Sequence, residues 1–156
     1  MNLLNETRIV ITGSRFWEDD VIIPYAIEQI VAGCSGKPVI IQGECPYGGA
    51  DLIAKNYAER RGYKIESFEP EWKDGKVLGP QRNKRMLEAG ADIVLAFPFP
   101  NSRGTVDCVK KAMEMGIPVK VYEQNFKVGH DEDVKPNHCS QSSRIHFSPH
   151  KGCILR

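Results

Sequence analysis

A chain of 156 residues, 41% hydrophobic and 26% charged, has the composition of a soluble globular protein and is long enough for one sizeable core. Its formal net charge of +1 excludes a global electrostatic pull toward nucleic acid or an anionic membrane, so anion recognition must be local. No apolar run approaches the length of a membrane span, the opening MNLLNETRIVITGSR lacks a basic segment leading into a long apolar core, and the five cysteines include no CxxC pair. A cytoplasmic protein with reduced thiols, no membrane association and no strong sign of direct nucleic-acid binding is the expectation.

Residues 8–12 (RIVIT) predict a first strand, apolar almost throughout, as for a strand covered on both faces. Gly13 turns the chain, Ser14 and Arg15 offer donors, and Asp19 or Asp20 can cap a helix carrying Ile23, Ala26, Ile27, Ile30 and Val31. Pro24 is tolerated in that helix only in its first turn. Residues 38–42 (PVIIQ) form the second strand, followed by the Gly-rich loop GECPYGGAD. Ala50, Ile53, Ala54, Tyr57 and Ala58 then recur at helical spacing until Gly62. Residues 63–68 make a third strand, and EPEWKDGKVLGP a polar connection. Pro80, at a first helical position, opens a helix through Ala89. Residues 93–97 (IVLAF) are a short buried strand feeding the loop PFPNSRGT. Val106, Val109, Ala112 and Met113 then mark a helix that Gly116 and Pro118 stop, and residues 118–122 (PVKVY) are a fifth strand.

Strands alternating with helices in this way predict an α/β fold: a Rossmann-like, doubly wound parallel sheet of about five strands in the order 3-2-1-4-5. In that order the winding reverses between strands one and four, and a crevice opens at their C-terminal ends. The loops 12–15, 43–51 and 98–105 all converge there, which is the strongest sequence argument for a binding function. Residues 1–123 read as one domain and residues 124–156 as an irregular tail without apolar periodicity.

At the crevice, Gly104 and Thr105 sit where a helix begins. Free backbone N–H groups and the positive end of the helix dipole can hold a phosphate there, with Arg103 and the Thr105 hydroxyl adding donors. The ligand-binding candidates are Gly13, Ser14, Arg15, Gly49, Asp51, Arg82, Asn83, Arg103, Gly104 and Thr105. Arg82 can fork onto a phosphate or carboxylate, although Arg82, Lys84 and Arg85 also fit a solvated basic face. Glu44, Asp51 and Asp107 are candidate acids or ribose-hydroxyl partners. Asp51 and Asp107 also suit the first turn of a helix, where a carboxylate complements the dipole. Phe16, Trp17 and Trp72 are candidates to stack on a base, or to pack in the core.

The glycine loops do not match GxGxxG or GxxxxGK[ST], and there is no GxSxG or HExxH. All four histidines lie in the tail. Cys139, His146, His150 and Cys153 have zinc-ligand chemistry but spacings that fit no standard zinc module, so no metal and no cofactor is assigned.

Taken together, TGSRFW, GECPYGGADLIA, GPQRNKRML and DIVLAFPFPNSRGTVDCVKKA resemble the YspA-like branch of the SLOG superfamily over about residues 8–122. These are small Rossmann-like proteins related to the Lonely Guy phosphoribohydrolases and to the nucleotide-binding domain of DprA, and many come from bacteriophages and mobile elements. The resemblance implies a site for a nucleotide or NAD-derived small molecule, and a homodimer. Lonely Guy enzymes cleave the N-glycosidic bond of a nucleoside monophosphate with a PGGxGTxxE motif and an arginine from the preceding helix. By that likeness Gly104 and Thr105 align with the GT and Arg82 with the arginine. Pro100, Asn101 and Ser102 replace the PGG, Cys108 stands where the carboxylate is expected, and Asp107 falls one residue early, roughly 100° around the helix.

Two functions follow. The first is a sensing or sequestering module that binds the nucleotide. The alternative is a phosphoribohydrolase-like enzyme with Asp107, Arg82 and Glu44 as its catalytic residues. In it, Asp107 or Glu44 stabilises an oxocarbenium-like ribosyl centre or activates water while Arg82 fixes the phosphate.

Overall fold

A computed structural model describes residues 5–124, 143–145 and 154–155. In chain order the elements are β1 (Glu6–Gly13), α1 (Ile22–Gly33), β2 (Lys37–Gln42), α2 (Ala50–Arg61), β3 (Lys64–Ser67), β4 (Trp72–Lys73), β5 (Lys76–Val77), α3 (Gly79–Glu88), β6 (Ile93–Phe97), α4 (Arg103–Glu114), β7 (Val119–Gln124), β8 (Ser143–Ile145) and β9 (Ile154–Leu155). Strands β3-β2-β1-β6-β7 form a parallel sheet in the predicted order. β8 and β9, from the stretch expected to be irregular, pair antiparallel with the outer edge of β7. The four histidines, Cys139 and Cys153 lie outside the described residues. Among the described residues no helix is long and apolar enough to cross a membrane, and Cys34, Cys45 and Cys108 are unpaired thiols.

The continuous apolar strands are explained by two core layers. Ile9, Ile11, Ile40, Ile93, Leu95 and Phe97 face one way, with Ile23, Ala26 and Ile27 of α1 and Ala50, Ala54 and Ala58 of α2. Val10, Val39, Ile41, Val94 and Ala96 face the other way, with Met86 and Leu87 of α3 and Cys108 and Ala112 of α4. Alternate residues of one strand therefore serve opposite layers, which is what a sheet buried on both faces requires. The alanine stripe of α2 lets its backbone lie close to the sheet. Asp19 caps α1, its Oδ1 accepting the amides of Val21 at 2.9 Å and Ile22 at 3.1 Å. Trp17 belongs to the core and not to a ligand site. It is 2% exposed, meets Phe97 edge-on at 5.4 Å, and donates its indole N–H to the Asp19 carbonyl.

The polar connection after β3 holds an unforeseen element, the hairpin β4–β5, in which Trp72 pairs with Val77. Its turn is Asp74-Gly75, both at positive φ (51° and 74°), a two-residue hairpin turn that Asp-Gly favours.

At the opposite end of the sheet a hydrogen-bonded ion network ties β1, β3 and the turn before β6. Arg8 forks onto Glu66 at 2.8 and 2.6 Å, and its Nε donates to the Gly90 carbonyl at 2.8 Å. Its backbone N–H donates to Asp92 at 2.7 Å. The hydrogen bond from Arg8 outweighs burial and holds the Glu66 carboxyl below its ordinary value of 4.5. A depressed carboxylate contributes stability that is present above 4.5 and lost as pH falls through the lowered value. Arg8→Met is therefore expected to cost about 2 kcal/mol at neutral pH. It should also flatten the acid-side loss of stability, as read by urea unfolding at neutral pH and at about pH 3.

Candidate functional site

At β1 and β6 the sheet changes its direction of winding, with Gly13 opposite Phe97 in the register. The loops after β1, β2 and β6 and the start of α3 enclose a cavity of about 550 Å³ there. The structure brings Gly13, Ser14, Arg15, Asp51, Arg82, Asn83, Arg103, Gly104 and Thr105 onto its wall. Phe16, Cys45, Tyr47, Trp72 and Ser102 also line it.

The turn after β1 is held from two sides. The Ser14 amide donates to the Phe97 carbonyl at 3.0 Å, and the Ser14 carbonyl accepts the amides of Trp17 and Ala50. The Ser14 hydroxyl accepts the Phe16 amide at 3.0 Å, so this side chain shapes its own turn. Gly49 is not on the cavity wall. It lies against the backbone of Ser14 and Arg15 and lets α2 dock on that turn. Arg15 projects to solvent between two exposed rings, its guanidinium carbon 4.8 Å from the centroid of Phe16 and 5.4 Å from that of Tyr47.

Arg82 reaches from α3 across Gly43, donating from Nη1 to the Gly43 carbonyl and from Nε to Asn83 Oδ1 at 3.0 Å. Asn83, 2% exposed, donates from Nδ2 to the Gly104 carbonyl and to Asp107 Oδ2, each at 3.0 Å. Asn83 thus fixes the start of α4 against α3. Thr105 is buried in the first turn of α4, whereas the open side of Gly104 has no heavy atom within 4 Å of where a Cβ would stand.

The three carboxylates separate sharply. Asp107 is not on the cavity wall; it accepts Lys111 Nζ at 2.6 and 2.7 Å as well as Asn83. Burial pushes its carboxyl up, but the bonds from Lys111 and Asn83 outweigh that and keep it below the ordinary range. Glu44, at φ 50°, also turns away from the cavity and is bound by Lys55, whose hydrogen bond holds its carboxyl low. Asp51 alone of the three lies on the wall, 6% exposed. Burial pushes its carboxyl up to about 6, against the Arg82 charge and hydrogen bonds from the backbone of Cys45 and Gly43. A buried acid held near neutrality beside a cation is a common sign of a functional site. The sequence offered Asp51 only as one acid among three, because its burial depends on how the loop 43–51 closes over it.

Cys108 occupies the position of the carboxylate in the resembled motif, and it points into the core layer between α3 and α4. Burial pushes its thiol up to about 11, and Thr12 hydrogen-bonds to it. It is an interior packing residue. Beyond the loop 98–100 lies a second cleft of about 460 Å³, lined by Phe99, Val106, Val109, Lys110 and Val121 among others.

Residues 7–75 match the model of the "YspA, cpYpsA-related SLOG family". Among curated proteins the chain is similar to the "Gene 61 protein" of Mycobacterium phage D29. The two are 36% identical over 118 residues, covering 72% of this chain and 93% of the phage protein. The chain belongs to the YspA, cpYpsA-related SLOG family.

Proposed function

We propose that this SLOG-family protein binds a nucleotide or nucleotide-derived small molecule in the cavity at the C-terminal edge of the sheet, as a sensing or sequestering module. One observation carries the reading. The first turn of α4, the residues Arg15, Arg82 and Arg103, and an aromatic rim all line one cavity of about 550 Å³. Such a cavity suits a small ligand with an anionic group at one end and a flat ring at the other. Family membership supports the same ligand class.

Hydrolysis of an N-glycosidic bond is the second reading. Asp51 favours it, as a buried acid near neutrality that faces the ligand space. Binding without turnover is preferred because Asp107 and Glu44 are each held by a lysine away from the cavity, and the aligned Cys108 is buried.

The test is calorimetric titration of purified protein with nucleoside monophosphates and ADP-ribose, alongside chromatography for released base. The expected result is saturable binding with no free base. Released base together with ribose 5-phosphate would establish the hydrolase instead.

Gly104→Ala separates fold from site. A methyl group there enters open space, and alanine is the better helix former by about 1 kcal/mol, so stability is retained or raised. Affinity for a nucleoside monophosphate falls about tenfold because the phosphate can no longer approach the backbone closely. Asp107→Asn leaves that affinity within about twofold, since its carboxylate is outside the cavity.

A further inference from the structure

The cavity carries three aromatic side chains on its wall, and they are not equivalent. Phe16 and Tyr47 are both turned onto Arg15. Trp72 is 58% exposed, and among the described residues it has no ring–ring or cation–π contact. It is carried by the β4–β5 hairpin, between β3 and α3, with Val77 directly across from it and also on the cavity wall. An indole left bare on a two-stranded hairpin at the mouth of a cavity invites a flat partner.

The hairpin and the start of α4 leave the sheet from different strands. The hairpin follows β3, the outermost strand on one side, while Gly104 and Thr105 follow β6. Between β3 and β6 lie β2 and β1, so the C-terminal ends of β3 and β6 are three strand spacings of about 4.8 Å apart, roughly 14 Å. A nucleoside monophosphate whose phosphate rests on α4 extends its base toward the hairpin.

We infer that Trp72 is the base-stacking residue of this site, making the β4–β5 hairpin the element that distinguishes a base-bearing ligand from a bare sugar phosphate. The inference rests on the nucleotide reading above and adds to it the position and chemistry of base recognition. Because the hairpin residues that line the cavity are Trp72 and Val77, stacking here selects an aromatic ring and is tolerant of which base it belongs to.

The chain contains two tryptophans, Trp72 at the cavity and Trp17 in the core, so intrinsic fluorescence reports the stacking directly. Adenosine 5′-monophosphate, guanosine 5′-monophosphate and ribose 5-phosphate are titrated into the wild type and into Trp72→Phe, Trp72→Leu and Trp72→Ala, with calorimetry in parallel. The expected result has three parts. Both nucleotides quench wild-type emission while ribose 5-phosphate does not. Trp72→Ala and Trp72→Leu bind the nucleotides about tenfold or more weakly, whereas Trp72→Phe stays within about threefold. Ribose 5-phosphate binds all four proteins alike. The leucine variant keeps an apolar side chain on the hairpin, so its loss reports stacking and not hairpin integrity. The inference is overturned if the nucleotides bind but Trp72→Leu and Trp72→Ala match the wild type, or if ribose 5-phosphate binds as tightly as the nucleotides. Absence of binding by all three probes overturns the nucleotide reading itself, and this inference with it.

Discussion

Gly49→Ala is expected to be the most damaging glycine-to-alanine substitution among the described residues, lowering the unfolding midpoint by about 10 °C or more. Gly49 has φ 82° and ψ −152°, a backbone conformation that residues with a Cβ essentially do not adopt. A Cβ there would stand 2.3 Å from the Ser14 carbonyl oxygen and 2.4 Å from Arg15 Cα. Both are backbone atoms of the turn after β1, so no side chain can swing away to make room. Either α2 lifts from the sheet or the turn 13–16 moves. Both routes also break the hydrogen bond from the Ala50 amide to the Ser14 carbonyl. Strain of about 1–3 kcal/mol plus the clash gives about 4 kcal/mol in total. Two glycines serve as controls. Gly48, at φ 94°, has only Leu52 Cδ2 at 3.9 Å, and Gly62, at φ 72°, has nothing within 4 Å. Alanine at either should cost only the conformational strain, about 1–2 kcal/mol. Thermal unfolding by circular dichroism of the three variants separates clash from strain. Equal midpoints for all three would remove the close approach from the account.

Arg82→Ala carries the second large effect, and it falls on the ligand. Arg82 is the cation beside Asp51, and it reaches the Gly43 carbonyl and Asn83 while lining the cavity. On the proposed reading, removing it deletes a charged donor to an anionic ligand, and it leaves the Asp51 carboxyl without the charge that opposes its burial. Nucleoside monophosphate affinity should fall about 100-fold, the scale of a lost charge-assisted hydrogen bond in a desolvated site. The Asp51 carboxyl should titrate above its value of about 6, because the main influence lowering it is gone while burial persists. Arg82→Lys should not restore affinity, since a point charge cannot serve the Gly43 carbonyl, Asn83 and the ligand together. Calorimetry gives the affinity, and carbon-detected magnetic resonance of the aspartate carboxyls gives the titration. Unchanged affinity in Arg82→Ala would confine this residue to the positioning of the loop at Gly43.

Which features could be read from residues alone follows from the range of the interactions involved. The five parallel strands and their order were legible because β1 and β6 are apolar on both faces and each loop is punctuated by glycine or proline. The hairpin carried a local signal, Asp74-Gly75 between Trp72-Lys73 and Lys76-Val77, but its two-residue strands are too short for a period-2 pattern. The fate of the carboxylates was legible for one and hidden for two. Lys111 lies four residues after Asp107 on one helix, a pairing that spacing alone suggests. Lys55 meets Glu44 from the second turn of α2, and Asp51 is buried by a loop whose closure needs the positive φ of Glu44, Gly48 and Gly49. Trp17 and Trp72 offered the same chemistry in sequence. Trp17 is made a core residue by Phe97, which is distant from it in sequence, and Trp72 a cavity residue by the short β4–β5 hairpin that carries it.

The central claim is that the cavity between the loops after β1, β2 and β6 receives a nucleotide. Titration of adenosine 5′-monophosphate into isotope-labelled protein, followed through backbone amide chemical shifts, tests it most directly. The account predicts saturable shifts clustered at residues 13–16, 43–51, 72–83 and 101–105, with residues 109 and 121 of the second cleft unmoved. Shifts centred on that second cleft, or none at millimolar nucleotide, would contradict it.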